Sequence, residues 1–199
     1  MDKIICVGKN YLDHAKELGD AVPSKPVLFL KPPSVLKTAD SKSGQVLAKL
    51  PQGKGGVHHE CEIVFRLDQT GRPTDVTLGL DMTLRELQSD LKKQGLPWEI
   101  SKVFSDSAII GPWLKLPDHQ DILKEVFTLS INGALKQKGQ AQEMRYSPED
   151  CIRYAKECFP LCDGDLLFTG TPAGVGPVVS GQVAELKWGS QLSYRVQFE

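Results

Sequence analysis

Apolar residues in this chain come in short, strand-length runs closed by glycine or proline, and that punctuation constrains the fold more than any other feature. Ile4-Ile-Cys-Val7 ends at Gly8, and Val27-Leu-Phe-Leu30 follows Pro26 and stops at Pro32 and Pro33. Runs this short suit strands and fall well short of a membrane span. Further runs at Cys61 to Leu67, Val76 to Leu80, Phe127 to Ile131, Asp165 to Thr169, Val183 to Lys187 and Leu192 to Phe198 read the same way, with a weaker one at Val46 to Leu50 inside an otherwise loop-like 34–56. Asn132-Gly133 between apolar stretches is a hairpin signal. Helical patterns are fewer. One follows Asn10 through Leu18, and one follows the capping-box string Thr83-Leu-Arg-Glu86 with Leu84, Leu87 and Leu91 in helical spacing. A third covers Pro148 to Glu157 after Ser147, a candidate N-cap. Strands outnumber helices and no linker or repeat interrupts them, which predicts one α+β domain over residues 1–199, dominated by mixed β-sheet.

Charge narrows the partners. Lys plus Arg total 24 against 25 Asp plus Glu, a net charge of −1, so no bulk attraction to nucleic acid or an anionic membrane is expected. The expected partner is a small molecule. The five cysteines (Cys6, Cys61, Cys151, Cys158 and Cys162) share no repeated spacing, and the opening Met-Asp-Lys-Ile-Ile-Cys-Val-Gly is too short for a signal peptide. The expectation is a reduced, cytoplasmic chain whose thiols mostly pack as small apolar groups.

The stretch Val57-His-His-Glu-Cys-Glu-Ile-Val-Phe65 carries the most chemistry. Alternate residues of a strand share a face, so Glu60 and Glu62 point the same way. Two carboxylates at the head of an apolar strand call for neutralisation, which a hard cation such as Mg²⁺ or Mn²⁺ supplies through oxygen ligands. Read alone, the pair is as readily a solvated rim. Asp81, just after Leu78-Gly-Leu80 and before the second helix, is a third acid at a strand-to-helix switch. The zinc string His-Glu-x-x-His is absent, and His58 and His59 read as supporting or packed residues. His14 and Glu17 are neighbours on one helix face, where a carboxylate can orient an imidazole as a base, although solvent-facing polar residues share that spacing. Phe168-Thr-Gly-Thr-Pro-Ala-Gly-Val-Gly-Pro177 is a glycine-rich loop able to bring N–H groups close to an anionic oxygen, without the ending of a P-loop. Lys31 and Lys102 sit beside apolar sequence, as substrate contacts or as surface charge.

Together these segments resemble the fumarylacetoacetate hydrolase family, in particular its short acylpyruvase-like branch. The matching strings, in the family's order, are Val7-Gly-Lys-Asn-Tyr11 with His14 and Glu17, Pro26-Val-Leu-Phe-Leu-Lys-Pro32, His58-His-Glu-Cys-Glu62, Leu80-Asp-Met-Thr-Leu-Arg85 with Gln88, Gly95-Leu-Pro-Trp98 with Lys102, and Thr169-Gly-Thr-Pro-x-Gly-Val-Gly-Pro177. The resemblance implies a β-rich mixed-sheet roll of the family's C-terminal-domain type with few short helices, usually a homodimer. It implies Glu60, Glu62 and Asp81 as Mg²⁺ or Mn²⁺ ligands, and His14 and Glu17 as a catalytic pair on a lid helix at about residues 10–18. Lys102, Arg85, Gln88 and Thr171 become pocket residues that hold a 2-oxo acid or support the metal, Lys102 also having a catalytic part. Lys9 stands where the family often has Arg, and the stretch between Glu62 and Asp81 is shorter than usual, so a flank of the pocket or a dimer surface is altered. The implied reaction is metal-dependent hydrolysis of the C–C bond of an acylpyruvate to pyruvate and a carboxylic acid. The same enolate chemistry also serves an oxaloacetate decarboxylase or tautomerase, or an isomerase of 2-hydroxy-diene-dioates. A metal-binding dimer without turnover is the more distant alternative.

Overall fold

A computed structural model describes residues 1–11, 23–40 and 43–199 of the chain. Among these residues, eight strands form the largest sheet. Its order is Val27–Lys31, Ile4–Gly8, Leu166–Phe168, Cys61–Leu67, Pro73–Asp81, Ala108–Ile110 and Leu36–Thr38, with Leu114–Lys115 also paired to Pro73–Asp81. Ile4–Gly8 runs parallel to Leu166–Phe168, and Leu36–Thr38 runs parallel to Ala108–Ile110. The other pairs in this sheet are antiparallel. The fold is therefore α+β and strand-rich, with helices at Arg85–Lys93 and Pro148–Cys158.

Side-chain parity explains why the central strands are apolar without interruption. Ile5, Ile63, Phe65, Leu78 and Leu80 pack on one face of the large sheet with Trp188, Tyr194 and Phe198 of a second, five-stranded sheet. Ile4, Cys6, Val64 and Phe168 pack on the opposite face with Phe29, Val35 and Ile110. A strand covered on both faces has no polar alternation to show. The second sheet has the order Ala134–Gly139, Phe127–Ile131, Val183–Trp188, Leu192–Phe198 and Gln45–Ala48. A small third sheet joins Gly176–Val178, Val57–His59 and Thr83–Leu84.

Local signals are met to different degrees. Asn132 and Gly133 take φ values of 47° and 80° between the paired strands Phe127–Ile131 and Ala134–Gly139, the left-handed pair a tight hairpin requires. Ser147 Oγ accepts from Asp150 N–H at 3.1 Å and caps its helix. The capping box at Thr83 does not form. Leu84 pairs with Val57 and is buried, so residues 83–84 stay extended and the helix begins at Arg85 without a side-chain cap. The weak strand expected at Val46 to Leu50 forms at Gln45–Ala48, and the loop-like stretch around it holds a second strand, Leu36–Thr38; both lie at sheet edges. The short strand Ala108–Ile110 is a further addition. Asn10 Oδ1 accepts from Tyr146 N–H at 2.9 Å, and the helix it was expected to cap lies outside the described residues. The predicted lid helix lies outside the described residues beyond Tyr11. Cys6, Cys61 and Cys151 are buried as expected, while Cys158 and Cys162 are exposed. No described helix is long and apolar enough to cross a membrane.

Candidate metal centre

Three strand ends bring the acidic residues together. Glu60 lies between Val57–His59 and Cys61–Leu67, Glu62 lies in the latter, and Asp81 closes Pro73–Asp81. Antiparallel pairing sets Cys61 against Leu80 and Glu62 against Gly79, and Asp81 N–H donates to Glu60 O at 2.9 Å. Register therefore places acids distant in sequence at one end of the sheet. One carboxylate oxygen from each of Glu60, Glu62 and Asp81 lies within 4.8 Å of the others, and all three residues are buried.

Three cations answer them. Lys102 Nζ donates to Asp81 Oδ2 at 2.6 Å and to Glu60 Oε2 at 2.8 Å. Lys31 Nζ stands 2.6 Å from Asp81 Oδ1 and donates to Ser107 O at 2.5 Å. Arg85 Nη2 donates to Glu60 Oε1, and its Nη1 donates to Gln88 Oε1 at 2.8 Å. Glu62 accepts from Gly170 N–H at 2.7 Å, so the glycine-rich loop meets an anionic oxygen supplied by the chain itself. Burial, followed by the charges of Asp81 and Glu60, pushes the Glu62 carboxyl well above its usual range. Burial opposes the charge on Lys102, yet Asp81 and Glu60 hold its ammonium above the ordinary lysine value. His58 and His59 are both shifted down, chiefly by burial. Arg85 adds to the downward shift at His58.

Glu60, Glu62, Asp81, Arg85 and Lys102 line a cleft of about 160 Å³ that Val7, Val27, Phe29, Gln88, Trp98 and Thr171 also border. Phe29 and Trp98 meet edge to face, 5.0 Å between centroids, and form its apolar wall. Glu60, Glu62, Asp81, Arg85, Gln88, Lys102 and Thr171, all singled out in the sequence, thus share one cavity. His14 and Glu17 lie outside the described residues. Lys31 resolves as a buried partner of Asp81 rather than surface charge. Gln137 was not singled out, although it is buried between exposed Lys136 and Lys138 and bonds to Thr171. Its position between two lysines on a short strand was the available signal.

The donor set fits a hard divalent cation. Three carboxylate oxygens from three side chains suit Mg²⁺ or Mn²⁺, and at ligand distances of about 2.0–2.1 Å such oxygens stand roughly 3–4 Å apart, inside the 4.8 Å limit that encloses all three here. Cys61 does not join the three acids, since it packs in the core cluster on the other face of its strand.

The family profile described as "Fumarylacetoacetate (FAA) hydrolase C-terminal" matches residues 3–198. Oxaloacetate tautomerase YcgM of Escherichia coli is 36% identical over 208 residues, covering 98% of this chain and 93% of the relative. The mitochondrial oxaloacetate decarboxylase of Dictyostelium discoideum is 37% identical over 191 residues, covering 91% and 86%. The crystal structure of fumarylpyruvate hydrolase from Pseudomonas aeruginosa in complex with Mn²⁺ and pyruvate superposes with a TM-score of 0.87 at 29% identity, covering 98% of this chain and 88% of that one.

Proposed function

The chain belongs to the fumarylacetoacetate hydrolase family through that C-terminal domain, and on this premise we propose that residues 1–199 form one catalytic unit that enolises oxaloacetate or a close 2-oxo dicarboxylate. The observation that carries the reading is the cluster of Glu60, Glu62 and Asp81 in the cleft beside Lys102. The names of the relatives in Escherichia coli and Dictyostelium support oxaloacetate over an acylpyruvate.

Glu60, Glu62 and Asp81 would hold Mg²⁺ or Mn²⁺, which when bound supplies Lewis acidity to a 2-oxo group. The protein's own residues do the rest. Lys102 and Arg85 place fixed positive charge where substrate oxygens gain negative charge, and Lys102 can also donate a proton there. Gln88 orients Arg85. Phe29 and Trp98 keep the wall apolar, which strengthens each charge contact. In tautomerisation one proton leaves C3 and one reaches the C2 oxygen, so no co-reactant is consumed. In decarboxylation the C3–C4 bond breaks, its electron pair stays on the enolate, and a proton from solvent restores pyruvate. His14 and Glu17 are the proposed water-activating pair of the second reading, hydrolysis of an acylpyruvate, which the likeness to fumarylpyruvate hydrolase supports. A homodimer and a cytoplasmic location complete the proposal.

The test is a panel of oxaloacetate, acetylpyruvate and fumarylpyruvate with Mg²⁺ or Mn²⁺, following enol absorbance and pyruvate release against protein-free metal controls. Oxaloacetate should interconvert fastest. Turnover confined to the acylpyruvates would hand the assignment to the hydrolase reading.

A further inference from the structure

One buried side chain from the second sheet joins both halves of the candidate site. Gln137 lies on Ala134–Gly139, an edge strand of the five-stranded sheet, and is 1% exposed. Its Oε1 accepts from Cys61 N–H at 3.0 Å and faces His59 Nδ1 at 2.9 Å. Its Nε2 donates to Thr171 Oγ1 at 2.7 Å and to Pro172 O at 2.9 Å. Thr171 Oγ1 in turn donates to Cys61 O at 2.8 Å. The ring closes on Cys61, the residue between Glu60 and Glu62.

This arrangement admits one orientation of the amide. The Cys61 N–H needs an acceptor and the Pro172 carbonyl needs a donor, so Oε1 and Nε2 cannot exchange places. His59 Nδ1, facing an oxygen without a proton, must carry the hydrogen. A second feature presses the same strand against the same loop. Gly174 has φ +96°, and a Cβ there would lie 2.1 Å from Lys136 O, so only glycine lets the loop come this close.

We propose that Gln137 is a positioning residue that sets the spacing between the acidic strand at Glu60–Glu62 and the Thr171 loop, and thereby tunes the affinity of the centre for a divalent cation. Gln137 itself does not line the cleft; it acts through the Cys61 peptide and the Thr171 hydroxyl. The inference rests on the metal-centre reading given above.

The experiment measures Mn²⁺ affinity by calorimetry, without substrate, for wild type, Gln137→Met, Gln137→Glu and a control, Val196→Ala. Val196 is fully buried on Leu192–Phe198, a strand of the same sheet that does not pair with Ala134–Gly139, and lies outside the cleft, so its loss destabilises the sheet away from the ring. Gln137→Met should bind Mn²⁺ about 10–100-fold more weakly, the range typical of lost groups behind metal ligands, while Val196→Ala binds as wild type does. Gln137→Glu keeps the acceptor for Cys61 N–H but loses both donors, so it should fall between, and it carries the test if the methionine variant does not fold. Equal affinity in wild type and whichever Gln137 variants fold overturns the proposal. Absence of Mn²⁺ binding by wild type overturns the metal centre beneath it, a distinguishable result.

Discussion

Lys31 Nζ stands 2.6 Å from Asp81 Oδ1 with both side chains shut from solvent. The two reach each other from different strands of the large sheet, Val27–Lys31 at its edge and Pro73–Asp81 near its middle. Losing every partner of a buried charge costs about 3–5 kcal/mol, but Asp81 without Lys31 still has Lys102 at 2.6 Å. Lys31→Met should therefore lower stability by less than that amount in urea unfolding of the cation-free protein. Adding Asp81→Asn should restore part of the loss, because Lys102 keeps Glu60 as its partner.

A divalent cation that binds only the folded chain raises its stability by about 2.7 kcal/mol at one hundred times its dissociation constant. For a chain of this size that corresponds to roughly 5–10 °C in Tm. Thermal melts with Mg²⁺ or Mn²⁺ should show this rise in wild type, its reversal by chelation, and little rise in Glu62→Gln or Asp81→Asn. An unchanged Tm for wild type in saturating Mn²⁺ would falsify the centre.

Lys102 touches two of the three acids and lines the cleft. Lys102→Met should cut kcat by about 10²–10⁴, the usual contribution of a positioned proton donor. Steady-state kinetics on oxaloacetate measure this, and a loss confined to KM would reduce the lysine to a binding group.

Asp165 ties the chain's start to its last third. Its Oδ1 accepts from Asp2 N–H at 2.7 Å and Lys3 N–H at 3.0 Å, and its Oδ2 from Cys162 N–H at 2.8 Å and Lys3 Nζ at 2.9 Å. Burial works against its charge, but these donors, led by Lys3, hold the carboxyl below the usual aspartate range. A carboxylate with a lowered folded pKa contributes stability that is complete above its unfolded value, near 3.9, and is lost as pH falls through the folded one. Urea midpoints of wild type and Asp165→Asn should therefore differ at pH 6, begin to draw together only below about pH 4, and approach one another as pH falls through the lowered folded value.

Much of the site could be read from the chain because its signals are local. Strand alternation put Glu60 and Glu62 on one face and Asp81 stood at a strand-to-helix switch, but it was the family resemblance that joined them, with Arg85, Gln88, Lys102 and Thr171, into one site. The glycine-rich loop announced an anion contact, although its partner proved to be Glu62 rather than a ligand. What escaped depends on pairing between distant segments. Thr83 loses its capping role because Leu84 is claimed by Val57. Lys31 is ambiguous until Asp81 and Ser107 are seen beside it. Leu36–Thr38 and Ala108–Ile110 are three-residue strands that support one another across the chain and leave no period long enough to detect.

Leu166–Phe168 lies between Ile4–Gly8 and Cys61–Leu67, bonded to both. The large sheet is therefore stitched shut by a segment made late. A ribosome-bound chain possesses every acid of the centre long before it possesses the strand that joins its first element to its fourth-placed one, and the Gly170 amide that seats Glu62 emerges just after that strand. Such distant closure makes folding slow, and a fragment ending ahead of residue 166 would carry the three acids without a floor to stand on.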